Sequence, residues 1–177
     1  AFYGPKIDFM AKDSIGREWQ VATIQLDMNL PERFDLSCVN EKGQDERIVM
    51  VHAAIMGSIE RYLSILIEHF AGAFPIWLSP VQIKLLPVGS AHHEYCYLLA
   101  ADLKKHGLRC EVDDANETIG NKIRKTEKEK VPYSLVIGDK EMGSEDLAVR
   151  VRGSRDLETL SRDKFIEKII KEVTDKK

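Results

Sequence analysis

The sequence has few of the features that define several protein classes. Its 177 residues include only three cysteines, widely spaced at Cys38, Cys96 and Cys110. Such spacing offers neither a disulfide framework nor a paired-cysteine metal motif, so we expect buried thiols in a reducing, cytoplasmic setting. No apolar run approaches the ~18 residues of a membrane span. We therefore expect no membrane segment, and the first residues do not resemble a secretory leader.

The charge is also too balanced for some functions. A formal net charge of −3 with 31% charged residues excludes a strongly basic nucleic-acid coat, and 44% hydrophobic residues argue against global disorder. A local basic patch is still possible, because residues 122–130 hold five basic and two acidic side chains. The chain begins without Met inside apparently structured sequence, which predicts a piece of a longer protein.

The first part of the chain is predicted to be mainly β-structure with one long helix. Residues 2–27 form a hairpin around a turn at residues 13–16, and a second hairpin surrounds residues 41–45. In a regular second strand Trp19, Thr23 and Gln25 share one face, whereas Gln20 faces away unless a bulge intervenes. Residues 27–34 are predicted to be irregular. An apolar run then ends at His52, and a helix begins after residues 57–58.

The second part is predicted to be a compact α/β domain of about a hundred residues, because strands and helices alternate. Strands are expected at residues 81–88, 108–112, 132–138 and 147–152. Helices are expected at residues 92–106, with Ser90 as a possible N-cap, and at residues 117–130 and 162–174. The first helix is predicted to bury Leu98 together with Leu99 and Leu103.

Two positions in the first part could carry chemistry. His52 is a possible metal ligand, although a hydrogen-bonded histidine is the more common case and no second ligand stands at metal-binding spacing. Arg61 lies in the first turn of a helix, where the helix dipole disfavours a cation. This placement suits a ligand phosphate or a carboxylate partner, or alternatively a solvated surface arginine.

Two polar groups have equally open interpretations. One group lies on adjacent strands and consists of Tyr3, Lys6, Thr23 and Gln25. These side chains either line a pocket or form the solvent-exposed face of a sheet. The segment Asn116–Glu117, followed by Lys122 and Arg124, offers groups that suit RNA bases and phosphates. On composition alone, a solvated helix with ordinary capping by Asn116 is the better supported explanation of that segment.

Many short segments of the sequence are distinctive. They are His52 and residues 1–9, 19–20, 23–27, 29–34, 57–61, 74–75, 77–78, 116–117, 119–120, 122–124, 132–133, 138–141 and 149–150. In these segments the chain closely resembles the threonyl-tRNA synthetase family, and the resemblance covers essentially the whole chain.

This resemblance implies roles in the first part of the chain. Arg61 matches the third class II signature motif, whose arginine binds ATP phosphates, and His52 matches one zinc ligand of the family. That zinc binds the amino and hydroxyl groups of threonine and so rejects valine. Lys6 and Arg61 are implied as the catalytic residues, with Lys6 beside the threonyl-adenylate. The other substrate-binding positions implied are Tyr3, Gln20, Thr23, Gln25 and Ser58.

The resemblance also implies the positions that read the anticodon of threonine tRNA, which are Asn116, Arg124, Glu141 and Arg150. Three departures from the family pattern stand out. Ala53 replaces an arginine next to the zinc histidine, Ala115 replaces an arginine, and Thr118 replaces a lysine. The last two remove positive charge from the anticodon face, so we expect weaker or less salt-dependent tRNA binding.

The resemblance implies an α/β (α+β) fold in two domains. Residues 1–78 correspond to the end of a class II catalytic domain, with part of its antiparallel sheet and the motif 3 helix, and residues 79–177 to a class IIa anticodon-binding domain. The implied function is threonine–tRNA ligation with ATP, Mg²⁺ and Zn²⁺, by a cytoplasmic homodimer without membrane or DNA partners. The other zinc ligands and half of the ATP site would lie upstream, so this chain alone is expected to be inactive. The alternatives are a non-catalytic RNA-binding or regulatory module and another class IIa synthetase.

Overall fold

A computed structural model describes residues 2–154 and 156–176; residue 1, which opens the motif at residues 1–9, lies outside them, as do residues 155 and 177. The chain divides into two compact units, Ala1–Glu68 (unit 1) and His69–Lys177 (unit 2). The predicted functional boundary between residues 78 and 79 stays a prediction. None of the helices in the described ranges is long and apolar enough to cross a membrane.

Unit 1 is built on a three-stranded antiparallel sheet in the order β1 (Lys6–Lys12), β2 (Glu18–Asp27) and β5 (Met50–Ile55). The predicted hairpin is confirmed, and Asp13 stabilises its turn by accepting hydrogen bonds from the backbone N–H groups of Ile15 and Arg17. The predicted second hairpin is the small ribbon β3 (Ser37–Val39) and β4 (Asp45–Arg47).

A β-bulge at Val21 decides which side chains of β2 face together. Phe9 is registered with Ala22, but the next residue, Met10, is registered with Gln20. Val21 is therefore an extra residue, and Gln20 returns to the face that carries Thr23. The expectation for a regular strand is wrong here, since Trp19 moves to the opposite face.

One short helix and one long helix complete the elements of unit 1 among its described residues. The segment predicted to be irregular contains the helix α1 (Asn29–Arg33), and strand β5 continues beyond His52 to Ile55. The predicted long helix is α2 (Ile59–Phe70), which ends in unit 2. Among the described residues of unit 1 only Asp27 and Pro31 are buried, so this unit has no apolar core of its own.

Unit 2 contains a five-stranded sheet in the order β10-β9-β8-β6-β7. Strands β6 (Ile83–Pro87), β7 (Cys110–Val112) and β8 (Tyr133–Ile137) are parallel, while β9 (Asp146–Val151) and β10 (Leu157–Ser161) are antiparallel additions. The helices are α3 (His93–Lys105), α4 (Ile119–Lys128), α5 (Asp139–Met142) and α6 (Arg162–Thr174). The alternating pattern predicted this α/β arrangement, but it missed α5 and β10.

The apolar core of the chain lies in unit 2, where Leu85, Leu103, Leu135 and Phe165 are fully buried. Because one complete core supports this unit, the prediction of a compact α/β domain is confirmed. Leu98 was expected in that core and is instead 65% exposed on α3.

Two further local expectations are corrected. Ser90 begins a 3₁₀ turn (Ser90–His92) and does not cap α3, whose N-cap position is His92. Of the three thiols expected to be buried, Cys96 and Cys110 are, but Cys38 in β3 is exposed.

The segment before the first strand of unit 2 is tied to that unit. Ile76 is only 4% exposed and belongs to its core. The guanidinium of Arg109 donates hydrogen bonds to the carbonyl oxygens of Ser79 and Trp77, both at 2.9 Å, and Gln82 Nε2 donates to Ile76 O at 3.0 Å. These contacts explain why unit 2 begins before residue 79.

Candidate functional site

One face of the unit 1 sheet is polar and the other is apolar. The register of the three strands places these polar side chains on one face: Lys6, Asp8, Gln20, Thr23, Gln25, Asp27 and His52. The opposite face carries Ile7, Phe9, Ala22, Ile24, Leu26, Val51, Ala53 and Ile55. The bulge at Val21 is what brings Gln20 into the polar row, so five residues expected at a substrate site share one surface with Asp8 and Asp27.

Asp8 organises the polar row and was not among the sequence-based candidates. Its Oδ1 accepts hydrogen bonds from Thr23 Oγ1 at 2.7 Å and Gln20 Nε2 at 2.8 Å, and its Oδ2 lies 2.7 Å from Lys6 Nζ. The hydrogen bonds from Lys6 and Thr23 hold the pKa of Asp8 below its ordinary value. The alternation of Lys6 and Asp8 on one strand was a usable signal, because both must face the same side.

His52 lies against a buried carboxylate at the end of β2. Its Nε2 is 2.7 Å from Asp27 Oδ2, and the Asp27 side chain is 0% exposed. The other oxygen, Oδ1, accepts from the backbone N–H groups of Asn29 and Leu30, both at 2.9 Å. Burial raises the pKa of Asp27, but the hydrogen bonds from Leu30 and His52 outweigh it and the pKa is lowered. Tyr3 reaches this group, since its ring centroid is 6.3 Å from that of His52.

The residues around His52 fit one ligand of a metal site and no more. Within residues 2–154 and 156–176 there is no group of three His, Cys, Asp or Glu side chains that could hold a metal ion. A histidine whose ring is held by a carboxylate behind it is nevertheless the usual arrangement of a metal-binding histidine. The remaining ligands would have to come from outside this chain.

Arg61 is held at the start of α2 by contacts within unit 1. Its guanidinium NH1 donates to Gln20 O at 3.2 Å, and its backbone N–H donates to Ser58 Oγ at 3.2 Å. Gly57 has φ +68°, and a Cβ at this position would lie 2.8 Å from the same Gln20 oxygen. Only glycine therefore permits this close approach. Ser58 acts as a helix cap, which is compatible with a substrate role but does not require one.

The four positions expected to read an anticodon lie on unit 2. Asn116 is exposed in the loop after β7, and Glu141 lies in α5, directly after β8. The two residues therefore follow the carboxyl ends of two parallel strands and lie at one edge of the sheet. Arg124 is exposed on α4, and Arg150 on β9 is registered with Ser134 near the beginning of β8.

The surroundings of Glu141 and Arg150 differ. Glu141 Oε2 accepts a hydrogen bond from Gly138 N at 3.0 Å, which orients the carboxylate at the start of α5. Arg150 lines a cavity of about 310 Å³ together with Thr126, Glu127 and Arg152. The four positions thus do not line one pocket. Asn116 and Glu141 lie at the carboxyl ends of β7 and β8, whereas Arg150 lies near the opposite end of β8.

Lys122 is not part of an exposed basic surface. It was expected to contribute to a basic RNA face, but it is 2% exposed and its amino group binds protein carbonyl groups. The helix is capped by Thr118, whose Oγ1 accepts from Asn121 N at 3.4 Å, and not by Asn116. Asn116 is consequently not engaged as the cap of α4.

Comparison with known proteins agrees with this architecture. Residues 82–172 match the family model described as the anticodon binding domain, and residues 1–70 match the tRNA synthetase class II core domain (G, H, P, S and T). The chain therefore belongs to the anticodon-binding domain family, joined to part of a class II synthetase core.

The similar curated proteins described next are all threonine–tRNA ligases. The threonine–tRNA ligase of Caldanaerobacter subterraneus subsp. tengcongensis is 52% identical over 176 residues, which are 99% of this chain and 27% of that protein. The ligase of Desulforamulus reducens is 53% identical over 176 residues and is covered to 28%. The chain thus spans about a quarter of the length of these relatives. The resemblance to threonyl-tRNA synthetases seen in the sequence is confirmed.

Solved structures support the same fold. The crystal structure of the RNA binding domain of threonyl-tRNA synthetase from Cryptosporidium parvum is similar with a TM-score of 0.80 and 38% identity, covering 97% of this chain and 44% of that one. A putative threonyl-tRNA synthetase from Aeropyrum pernix gives a TM-score of 0.56 at 31% identity, covering 99% and 43%. The expected fold class, a class II catalytic end followed by an anticodon-binding domain, is confirmed.

Proposed function

We propose that this chain is the tRNA-reading and partial active-site portion of a cytoplasmic threonine–tRNA ligase, which activates threonine with ATP and Mg²⁺ and transfers it to threonine tRNA. The observation that carries the proposal is the polar face of the unit 1 sheet. There Lys6, Gln20, Thr23, Gln25 and His52 share one surface in a chain about 52% identical to threonine–tRNA ligases. Residues 1–78 would serve catalysis and residues 79–177 anticodon recognition.

On this proposal the polar face binds the threonyl-adenylate. Lys6 supplies a cation beside the phosphate, and the Gln20 and Gln25 amides supply hydrogen bonds. Thr23 is held by Asp8, and Tyr3 lies near His52. His52 is one zinc ligand, and a bound zinc ion would coordinate the amino and hydroxyl groups of threonine.

Arg61 would bind the phosphates of ATP in this site, next to Ser58. Its guanidinium has a fixed starting position, because NH1 is bonded to Gln20 O and Gly57 leaves room for that contact. An arginine offers several N–H donors in a planar fork, so binding to a phosphate is compatible with the contact to Gln20.

We further propose that catalysis needs parts of the synthetase core outside these 177 residues. The apolar face of the unit 1 sheet is largely exposed, with Ile7 at 62% and Ile55 at 81%, as expected for a surface that more of the core covers. A homodimer of the full-length ligase fits the same proposal.

Anticodon recognition would fall to Asn116, Arg124, Glu141 and Arg150. Amide, guanidinium and carboxylate groups can each pair with base edges, and unpaired anticodon bases expose those edges. The replacements Ala115 and Thr118 remove charge beside Asn116, so affinity would depend less on salt than in relatives that retain those cations.

Two measurements test the proposal. The full-length ligase should catalyse threonine-dependent ATP–pyrophosphate exchange, and the 177-residue chain should not. In the chain, Arg124→Ala should weaken binding of threonine tRNA more than binding of another tRNA. Equal loss for both would make Arg124 a phosphate contact and not a reader.

A second candidate is a non-catalytic RNA-binding or regulatory module. It is favoured by one observation: unit 2 has a complete apolar core, whereas unit 1 has none among its described residues. Zinc content and exchange activity of the native protein distinguish the two functions, because only the ligase needs both.

A further inference from the structure

Lys122 is a buried lysine on α4, a basic helix whose other lysine and arginine side chains, Arg124, Lys125 and Lys128, are exposed. It is the bulkiest of the fully buried side chains among the described residues, at 2% exposure. Its amino group donates hydrogen bonds to Asp113 O at 2.9 Å and to Pro87 O at 3.0 Å. Both acceptors are protein carbonyl oxygens, so this cation is not available to RNA phosphates.

The two carbonyl groups belong to the ends of neighbouring parallel strands. Pro87 is the last residue of β6, and Asp113 directly follows β7. The ammonium group of Lys122 therefore joins the carboxyl end of one strand to the first residue of the loop that follows the other. This loop, residues 113–118, carries Asn116 and ends at the cap of α4.

Asp113 is held from several sides at this point. Its backbone N–H donates to Leu85 O at 2.9 Å, and its Oδ1 accepts from Ala115 N at 3.2 Å. Its Oδ2 is buried without a hydrogen-bond partner among the residues that the structure describes. The base of the loop is thus fixed by Lys122, Leu85 and Asp113 itself, while Asn116 projects from it into solvent.

A buried cation by itself contributes little to the free energy of unfolding. Removing a charge from water is unfavourable, and apolar side chains of similar volume often replace buried ions without loss of stability. What an apolar residue cannot do is bind two specific carbonyl groups at once. The geometry of the loop is therefore what the ammonium group contributes.

We propose that Lys122 is a positioning residue for anticodon recognition, which sets the conformation of loop 113–118 and thereby the place of Asn116. Lys122 acts through Asn116 and does not touch RNA. This inference rests on the proposed role of Asn116 as a reader of the anticodon.

The test is a double-mutant cycle in the 177-residue chain with Lys122→Met and Asn116→Ala. The probes are the anticodon stem-loop of threonine tRNA and the same stem-loop with its anticodon bases exchanged. Each single variant should lower the ratio of the two affinities about tenfold, as expected when one base contact is lost. The double variant should lower it no further, because both substitutions remove the same contact.

Lys128→Met is the matched control, since Lys128 is exposed on the same helix. It should weaken both stem-loops equally and leave their ratio unchanged. Amide hydrogen exchange gives a readout without RNA: Lys122→Met should speed exchange in residues 114–118 while the amides of α6 stay protected. If the methionine variant does not fold, Lys122→Gln, which keeps a side-chain NH₂ group as a neutral donor, enters the same cycle.

The outcomes separate the two proposals. If Asn116→Ala leaves the ratio unchanged, the reading role of Asn116 is wrong. If Asn116→Ala lowers the ratio but Lys122→Met does not, only the positioning role is wrong. Additive effects of the two substitutions would also overturn it, since Lys122 would then act independently of Asn116.

Discussion

His52 Nε2 and Asp27 Oδ2 lie 2.7 Å apart, with the carboxylate fully buried and the imidazole half exposed. Asp27 has a lowered pKa, so it accepts this hydrogen bond as a carboxylate. The proton of a neutral His52 therefore lies on Nε2, and Nδ1 keeps its lone pair for a ligand.

Asp27→Asn should invert the tautomer of His52. The asparagine Oδ1 replaces the oxygen that accepts from Asn29 and Leu30, and its Nδ2 then faces the imidazole as a donor. Nε2 must become the acceptor and Nδ1 must carry the proton. Imidazole ¹⁵N chemical shifts of the chain at pH 8 measure this directly, with His69 as the internal control. An unchanged Nε2–H tautomer would contradict the assigned role of Asp27.

Asp8→Ala should impair the full-length ligase through the polar face. The substitution removes the acceptor for Gln20 and Thr23 and the ionic partner of Lys6. On the proposed function these groups bind substrate, and misplacing such groups reduces kcat/KM by about tenfold to a hundredfold. Glu46→Ala, in the exposed strand β4, serves as the control and should leave threonylation unchanged. If the Asp8 variant is as active as the unchanged ligase, Asp8 does not organise the site.

Residues 69–78 should stabilise unit 2. A chain of residues 69–177 retains buried Ile76 and the carbonyl groups of Trp77 and Ile76, which Arg109 and Gln82 bind, whereas a chain of residues 79–177 does not. We expect the longer chain to be more stable to urea by about 3 kcal/mol, from apolar burial and hydrogen bonds. Ile76→Ala should destabilise the longer chain and so remove much of that difference in stability. Equal unfolding midpoints would show that the segment contributes nothing.

Alkaline pH should destabilise unit 2 through its thiols. Burial raises the pKa of Cys96 and Cys110 to about 11 from 9.0. The unfolded chain releases these protons first, so the stability present below pH 9 is lost between pH 9 and 11, by up to about 3 kcal/mol per thiol. Urea unfolding across this range should show a smaller loss in Cys110→Ala and the full loss in Cys38→Ala, because Cys38 is exposed. If stability falls equally with rising pH in the unchanged chain, in Cys110→Ala and in Cys38→Ala, the buried thiols are not the cause of the loss.

Much of unit 2 could be predicted because strand and helix periods there follow the core. Helix α6 begins at Arg162 and ends at Thr174 as predicted, since Phe165, Ile166 and Ile169 pack at helical spacing. Leu98 was misplaced because an apolar side chain at a core-like spacing can still face solvent. Lys122 was misplaced for the converse reason, as charged residues are rarely buried unless specific partners bind them.

The site in unit 1 was harder to predict from residue types alone. The alternation of β2 separates Gln20 from Thr23, and only the extra residue Val21 brings them together. Asp27 was overlooked because its function depends on burial and on two backbone N–H groups of α1, a helix that the sequence did not reveal. The resemblance to a family supplied the roles, and the register of the strands supplied the arrangement.

The unequal distribution of buried apolar side chains has a consequence for digestion by proteases. Unit 2 encloses its core, whereas the sheet of unit 1 exposes Ile7, Ile24 and Ile55 to solvent. Segments with few buried contacts open locally at low free energy, and proteases cleave such openings first. Trypsin cleaves after Lys and Arg, and residues 62–83 contain neither. Brief trypsin treatment of the isolated chain should therefore remove the polar face first and leave a resistant remnant that begins at Tyr62 and still carries Asn116, Arg124, Glu141 and Arg150.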